Sequence, residues 1–303
     1  MEIRNCLSLL SMPLLLLAVE IGAILLALPL QNAGISAFED PSAYENPLIF
    51  VGILLIFTLF LLFLMRFGFR RIIAIIIIGS IFFTFVYIFT ALAALTVEDA
   101  LLITALALVA SVAATAALYL YPEWYVIDSL GILICAGVAS IFGVSLEVLP
   151  VIILLVILAT YDFISVYKTK HMITLAEGVM DLRMPILFVI PKKSDYSFRR
   201  DGIGKLGEGE RSAYIIGMGD MIMPTVLVVS ANTFLHADRM FGFLNLPALG
   251  AIAGSLVGLA VLMSYVSKGK PQAGLPPLNG CTILGFLLGA GLAALISGVP
   301  VFG

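Results

Sequence analysis

Two acidic residues stand inside apolar sequence. Asp162 lies in LLVILATYDFISVY and Asp220 in YIIGMGDMIMPTVLVVSA. An aspartate at the centre of a membrane helix costs about 2.5–3.5 kcal/mol on insertion scales, so each needs a reason. One reason is structural: a hydrogen-bonded acid facing the interior of a helix bundle. The other is chemical. Two carboxyls in contact do not comfortably both ionise, so a pair shares one proton and can supply a base and an acid together. That is the chemistry of water attack on an amide.

The neighbours of Asp220 favour the chemical reading. Gly217 and Gly219 remove side chains beside it, so that another backbone can come close or the helix can open. Pro224 has no amide hydrogen, which leaves the Asp220 carbonyl without its helical partner. A kinked, hydrated helix start is expected. Irregular backbone at membrane depth is tolerated only against protein or a water-filled cavity, and hydrolysis needs that water.

The elements that position these residues are membrane helices. Of the 303 residues 62% are hydrophobic and only 12% charged, and the mean hydropathy is +1.16. A soluble domain carries about 25% charged residues. The fold class is therefore an all-α polytopic membrane protein. Nine apolar spans are predicted near 7–30, 47–65, 72–96, 101–120, 126–145, 148–168, 211–233, 244–266 and 277–300. The first apolar run, about 24 residues, exceeds the 7–15 of a signal-peptide core and is read as a span.

The basic residues test the count. With nine spans, fifteen of the sixteen lysines and arginines fall on one side, and only Arg239 lies opposite. The opposite loops carry Glu39, Asp40, Glu45, Glu98, Asp99 and Glu147. The positive-inside rule then puts the N-terminus in the cytoplasm and the C-terminus outside. Residues 1–145 make helices 1–5, and residues 146–303 make a catalytic part with helices 6–9 and a cytoplasmic loop, 171–210.

Asp162 lies six residues before Lys168, and Asp220 nine residues after Arg211. At 1.5 Å per helical residue these are about 9 and 13 Å below one surface, so the two acids meet at one level across a hairpin. The loop between them contains Gly202, Gly204 and Gly207 in GxGxxG spacing. No βαβ unit surrounds it, so it reads as a linker. Within the loop, Met184 to Ile190 is strand-like and offers an edge to an unwound substrate, or else lies amphipathically on the membrane.

Tyr161-Asp162 and Gly217–Asp220, read as YD and GxGD on the sixth and seventh of nine spans, resemble the presenilin and signal peptide peptidase family of intramembrane aspartyl proteases, in its prokaryotic, archaeal form. The resemblance implies that Asp162 and Asp220 are catalytic, with Tyr161, Gly217 and Gly219 in support. It also implies a proline-alanine-leucine motif at the start of span nine. The literal string Pro247-Ala248-Leu249 begins span eight, on the wrong side. Pro276-Pro277-Leu278 opens span nine from the cytoplasmic side and is the better match, with proline in place of alanine. Tandem prolines there fix an extended backbone that braces the site.

The activity implied is hydrolysis of transmembrane segments of other proteins by the aspartate pair, with no cofactor and no metal. Partners are membrane-protein substrates and the lipid bilayer, with no nucleic acid; self-association stays open and no accessory subunit is required, in a cell membrane. Two other readings stay open: a prepilin-peptidase-like aspartyl protease, which shares GxGD, and a cation or proton transporter or leak channel using the same acids. Glu20 in span one reads as a structural acid. His171 and His236 lie at opposite ends of the topology. Cys6, Cys135 and Cys281 form no metal or disulfide pattern. GxSxG and HExxH are missing, which argues against serine and zinc proteases.

Overall fold

An apolar segment in lipid has to satisfy its own backbone amides, and a helix does so without help from neighbours. In the computed structural model the apolar runs form α1 (Ile3–Asn32), α2 (Asn46–Arg66), α3 (Arg70–Ala93), α4 (Ala100–Leu120), α5 (Trp124–Ser145), α6 (Val148–Ile164), α7 (Met218–Phe234), α8 (Leu246–Val266) and α9 (Leu275–Ser297). The structure describes residues 3–169, 187–192, 196–202, 213–240, 242–266 and 273–298, with backbone alone at 3–10, 169, 201 and 266. Among the described residues, eight helices are long and apolar enough to cross a membrane, α6 with its extension to Lys168. The remaining one, α7, has 17 residues.

The surface is that of a protein solvated by lipid. Leu101, Ile56 and Leu295 are 82%, 70% and 82% exposed, and they belong to continuous apolar faces that water would not tolerate. The centre is α7, which packs against α1, α5, α6, α8 and α9. From Pro224 to Asn232 every residue of α7 is buried, as expected of a helix apolar on all sides.

Two expectations change. The predicted seventh span, 211–233, is not helical throughout: β2 (Ala213–Gly217) pairs antiparallel with β1 (Leu187–Pro191), and α7 begins only at Met218. Tyr214, Ile215 and Ile216 are β-formers with a partner strand available, and Gly217 caps the helix in an extended conformation (φ −65°, ψ 134°). The depth arithmetic from Arg211, which assumed helical rise, therefore does not apply. The fold is also not purely helical, because a second pair, β3 (Arg239–Met240) and β4 (Leu244–Asn245), closes the α7–α8 turn. There Asn245 Oδ1 accepts from Ala248 N–H at 2.9 Å and caps α8, while its amide donates to Ala231 O at 2.8 Å.

The closest backbone approach joins α8 and α9. A Cβ added at Gly250, Gly254 or Gly258 would fall 2.3, 2.2 and 2.7 Å from the carbonyls of Gly285, Cys281 and Pro277. This is a small-xxx-small crossing, in which missing side chains let two helices meet backbone to backbone. It fixes the height of α9, and so of the segment that starts it.

Candidate active site

Asp162 lies in the last turn of α6, just before the helix loosens into a π-helical turn at Ser165–Thr169. The Ser165 hydroxyl donates to Asp162 O at 3.0 Å. The Asp162 side chain is 5% exposed, and its Oδ2 accepts from Leu275 N–H at 3.1 Å. Gly274 N–H is a second backbone donor to it. Asp220 lies in the first turn of α7, where a helix N-terminus favours negative charge. It is near enough to Asp162 for the two carboxyls to act on each other electrostatically. A Cβ at Gly274 would sit 2.9 Å from Asp220 Oδ2, and one at Gly217 3.3 Å from it.

The two acids therefore converge on one dipeptide, Gly274-Leu275. Sequence reading named the three residues after it. Pro276 and Pro277 lie in the first turn of α9 rather than in an extended segment, because the amides a proline lacks are unpaired at a helix start in any case. Leu278 is 2% exposed and packs in the core. The glycine before the two prolines was the available signal for the contact. Pro247 packs instead near Gly289, fifteen residues beyond Gly274 and so about 22 Å along α9. The literal Pro-Ala-Leu string is at the far end of the hairpin.

Tyr161 is half-buried and shares a side-chain hydrogen bond with Thr58 of α2. A Cβ at Gly219 would meet nothing within 4 Å, so the space beside Asp220 is open there. Asn279, which sequence reading did not single out, is 1% exposed, donates to Leu155 O of α6 at 3.0 Å, and leaves its own Oδ1 without a partner. Beside it, between α6 and α9, lies a cavity of about 370 Å³ lined by Val156, Thr160, Phe163 and Pro276 among others. Glu20 is fully buried, far along α1, and takes the Ser255 hydroxyl at 2.6 Å. His171, Gly204 and Gly207 lie outside the described residues.

The strand expected within Met184–Ile190 is present at Leu187–Pro191, with 184–186 outside the described residues. Its free edge is not the one anticipated. Val189 N–H turns away from β2 and donates to Asp128 Oδ1 of α5 at 2.9 Å. In an antiparallel pair the residue opposite, Ile215, then also points outward. Among the described residues the open edge of the sheet belongs to β2, which runs straight into the helix of Asp220.

The chain is similar to known proteins over nearly its whole length. Residues 13–296 match the family described as signal-peptide peptidase, presenilin aspartyl protease. A solved presenilin family intramembrane aspartate protease in space group C222 is 53% identical, with a TM-score of 0.70 over 94% of this chain and 99% of that one. Another in space group P2 is 54% identical, with a TM-score of 0.69 over 94% and 98%. No curated protein matches. With an acid pair gathered at the start of α9 and a family match across nearly its whole length, the chain belongs to the signal-peptide peptidase and presenilin family of aspartyl proteases.

Proposed function

We propose that this protein hydrolyses peptide bonds inside transmembrane segments, with Asp162 and Asp220 as its acid and base. One carboxylate deprotonates a water that attacks the scissile carbonyl; the other protonates the leaving nitrogen, and the pair titrates as a unit. The observation that carries this reading is the meeting of both carboxyls at Gly274-Leu275. Each backbone N–H there that holds Asp162 fixes its oxygens, so that proton transfer starts from a set geometry. Tyr161, Gly217, Gly219 and Pro276–Leu278 shape and brace the site.

A helical substrate hides its carbonyls and has to unwind. Ile215, with its N–H and C=O turned outward three residues before Met218, offers such a strand a partner. Residues 1–145 act as scaffold and 146–303 as the catalytic part. We place nine crossings in a cell membrane, α7 among them, with a cytoplasmic N-terminus and an outer C-terminus; the one-sided basic residues support that orientation. The enzyme works as a single chain, self-association aside.

The test is incubation of the purified protein with a synthetic single-span peptide, with product masses read directly. Cleavage abolished by Asp162→Ala and by Asp220→Ala, in protein that still folds, is the expected result. Peptide left intact by the unaltered protein, together with cation flux across vesicles, would replace the protease with a transporter.

A further inference from the structure

We infer that Asp128 on α5 is a positioning residue for proteolysis: it closes the outer edge of β1 and so leaves β2, among the described residues, as the edge on which a substrate strand can be aligned. The inference rests on the protease reading above. Asp128 is 8% exposed, and its Oδ1 takes the outward N–H of Val189, itself 1% exposed. An open strand edge recruits any extended segment, and a charge set against it is a common block. Here the block comes from another helix. At the end of the strand, Pro191 has no N–H to offer the same edge.

The same face of α5 also seats the helix that carries Asp220. One turn on from Asp128, a Cβ at Gly131 would lie 3.1 Å from the Phe188 ring and 2.7 Å from the Met218 side chain. A further turn on, Cys135 Sγ contacts Met218 O at 3.7 Å. Asp128, Gly131 and Cys135 thus form one line that touches β1 first and the start of α7 last. Near the beginning of α5, Glu123 takes the Ser197 hydroxyl at 2.8 Å and Phe198 N–H at 3.1 Å. The described parts of the α6–α7 connection are therefore held on α5 by two acids. Asp128 is the one that touches the sheet.

A substrate strand paired to β2 places its scissile bond by register, and a one-residue slip turns every side chain to the other face. If β1 were released from α5, a second edge would open and the sheet would shift against Asp220. The expected signature is a change in where the substrate is cut, not only in how fast.

The experiment compares Asp128→Asn, which keeps an acceptor oxygen, with Asp128→Leu, which fills the space without one. A single-span peptide is the substrate, products are mapped by mass, and exchange at residues 187–191 and 213–217 is followed with and without a transition-state analogue. In the unaltered enzyme the analogue protects 213–217 and leaves 187–191 unchanged. Asp128→Asn reproduces that cleavage pattern. Asp128→Leu gives additional or displaced cuts and a raised KM, and Val189 exchanges roughly 5- to 100-fold faster, the factor expected for a lost buried hydrogen bond.

Should Asp128→Leu not fold, Val189→Pro removes the donor instead, at a position whose N–H takes no part in the ladder, and the displaced cuts are expected there. Cleavage sites unchanged in Asp128→Leu, or in Val189→Pro where it has to stand in, would overturn the inference while leaving the protease intact. An unaltered enzyme that cuts no peptide would instead overturn the reading on which it rests.

Discussion

Leu275 donates its backbone N–H to Asp162 Oδ2 across 3.1 Å, although the two residues are 113 positions apart. At the residue before it, Gly274, an added Cβ would stand 2.9 Å from Asp220 Oδ2. One peptide segment thus sets the position of both acids. The strand β2, the loosened end of α6 and the glycine crossing of α8 and α9 deliver the three pieces to that point.

Replacement of either acid is expected to remove activity without unfolding the protein. A positioned general acid or base contributes about 10²–10⁴-fold, and members of one catalytic unit are not additive. Asp162→Asn, Asp220→Asn and the double variant should each therefore fall by at least about 10²-fold in kcat, with the double variant no worse than the poorer single one. Circular dichroism and melting of the purified variants check that the loss is chemical.

The glycines around Asp220 should divide by the room each has. At Gly274 a methyl group would stand 2.9 Å from Asp220 Oδ2, at Gly217 3.3 Å, and at Gly219 it would meet nothing. Overpacking of this kind costs about 1–3 kcal/mol. Gly274→Ala is expected to reduce kcat most, Gly217→Ala less, and Gly219→Ala to act through KM by narrowing open space beside the acid. Melting temperature with kcat and KM for the three variants gives the order.

Much of this site was legible in the sequence because membrane chemistry makes polar residues conspicuous. Asp162 and Asp220 stand out against leucine and valine, and the depth expected for Asp162 came from the helical rise of α6. Tyr214–Ile216 misled, since apolar β-formers beside an apolar helix look like more helix when the partner strand, Leu187–Pro191, is far away in sequence. Gly274 and Leu275 act through backbone atoms, which no side-chain pattern reports. Asp128 and Asn279 were passed over because a single acid or amide in an amphipathic setting is common, and only the fold shows what each one touches.

The hairpin of α8 and α9 should fail in a graded way. Gly254 has 2.2 Å to the Cys281 carbonyl for any added carbon, whereas Gly280 on the same pair of helices faces open space. Gly254→Val is expected to force the helices apart, lower the melting temperature and weaken catalysis by lifting Leu275 from Asp162. Gly280→Ala should leave the packing and catalysis unchanged and gain up to about 1 kcal/mol of stability from helix propensity. Thermal melts in detergent, with peptide cleavage on the same samples, separate the two.

Asn279 sets stability against function. Its amide nitrogen ties α9 to the Leu155 carbonyl, one helical turn beyond the residue that holds Asp162, yet its oxygen is buried with no partner. A buried polar atom left unsatisfied costs about 1–3 kcal/mol, and removing the polar group altogether can be neutral or stabilising. The carbonyl of Leu155 loses little, since it lies within α6 where a helical N–H is available to it. Asn279→Leu is therefore expected to melt at the same temperature as the unaltered protein or higher. If the amide serves to set the spacing of α6 and α9, the same variant loses activity, since Leu275 then approaches Asp162 without that constraint. Retained stability with reduced kcat assigns Asn279 to the positioning of the acid pair; a destabilised variant with kcat unchanged assigns it to packing alone.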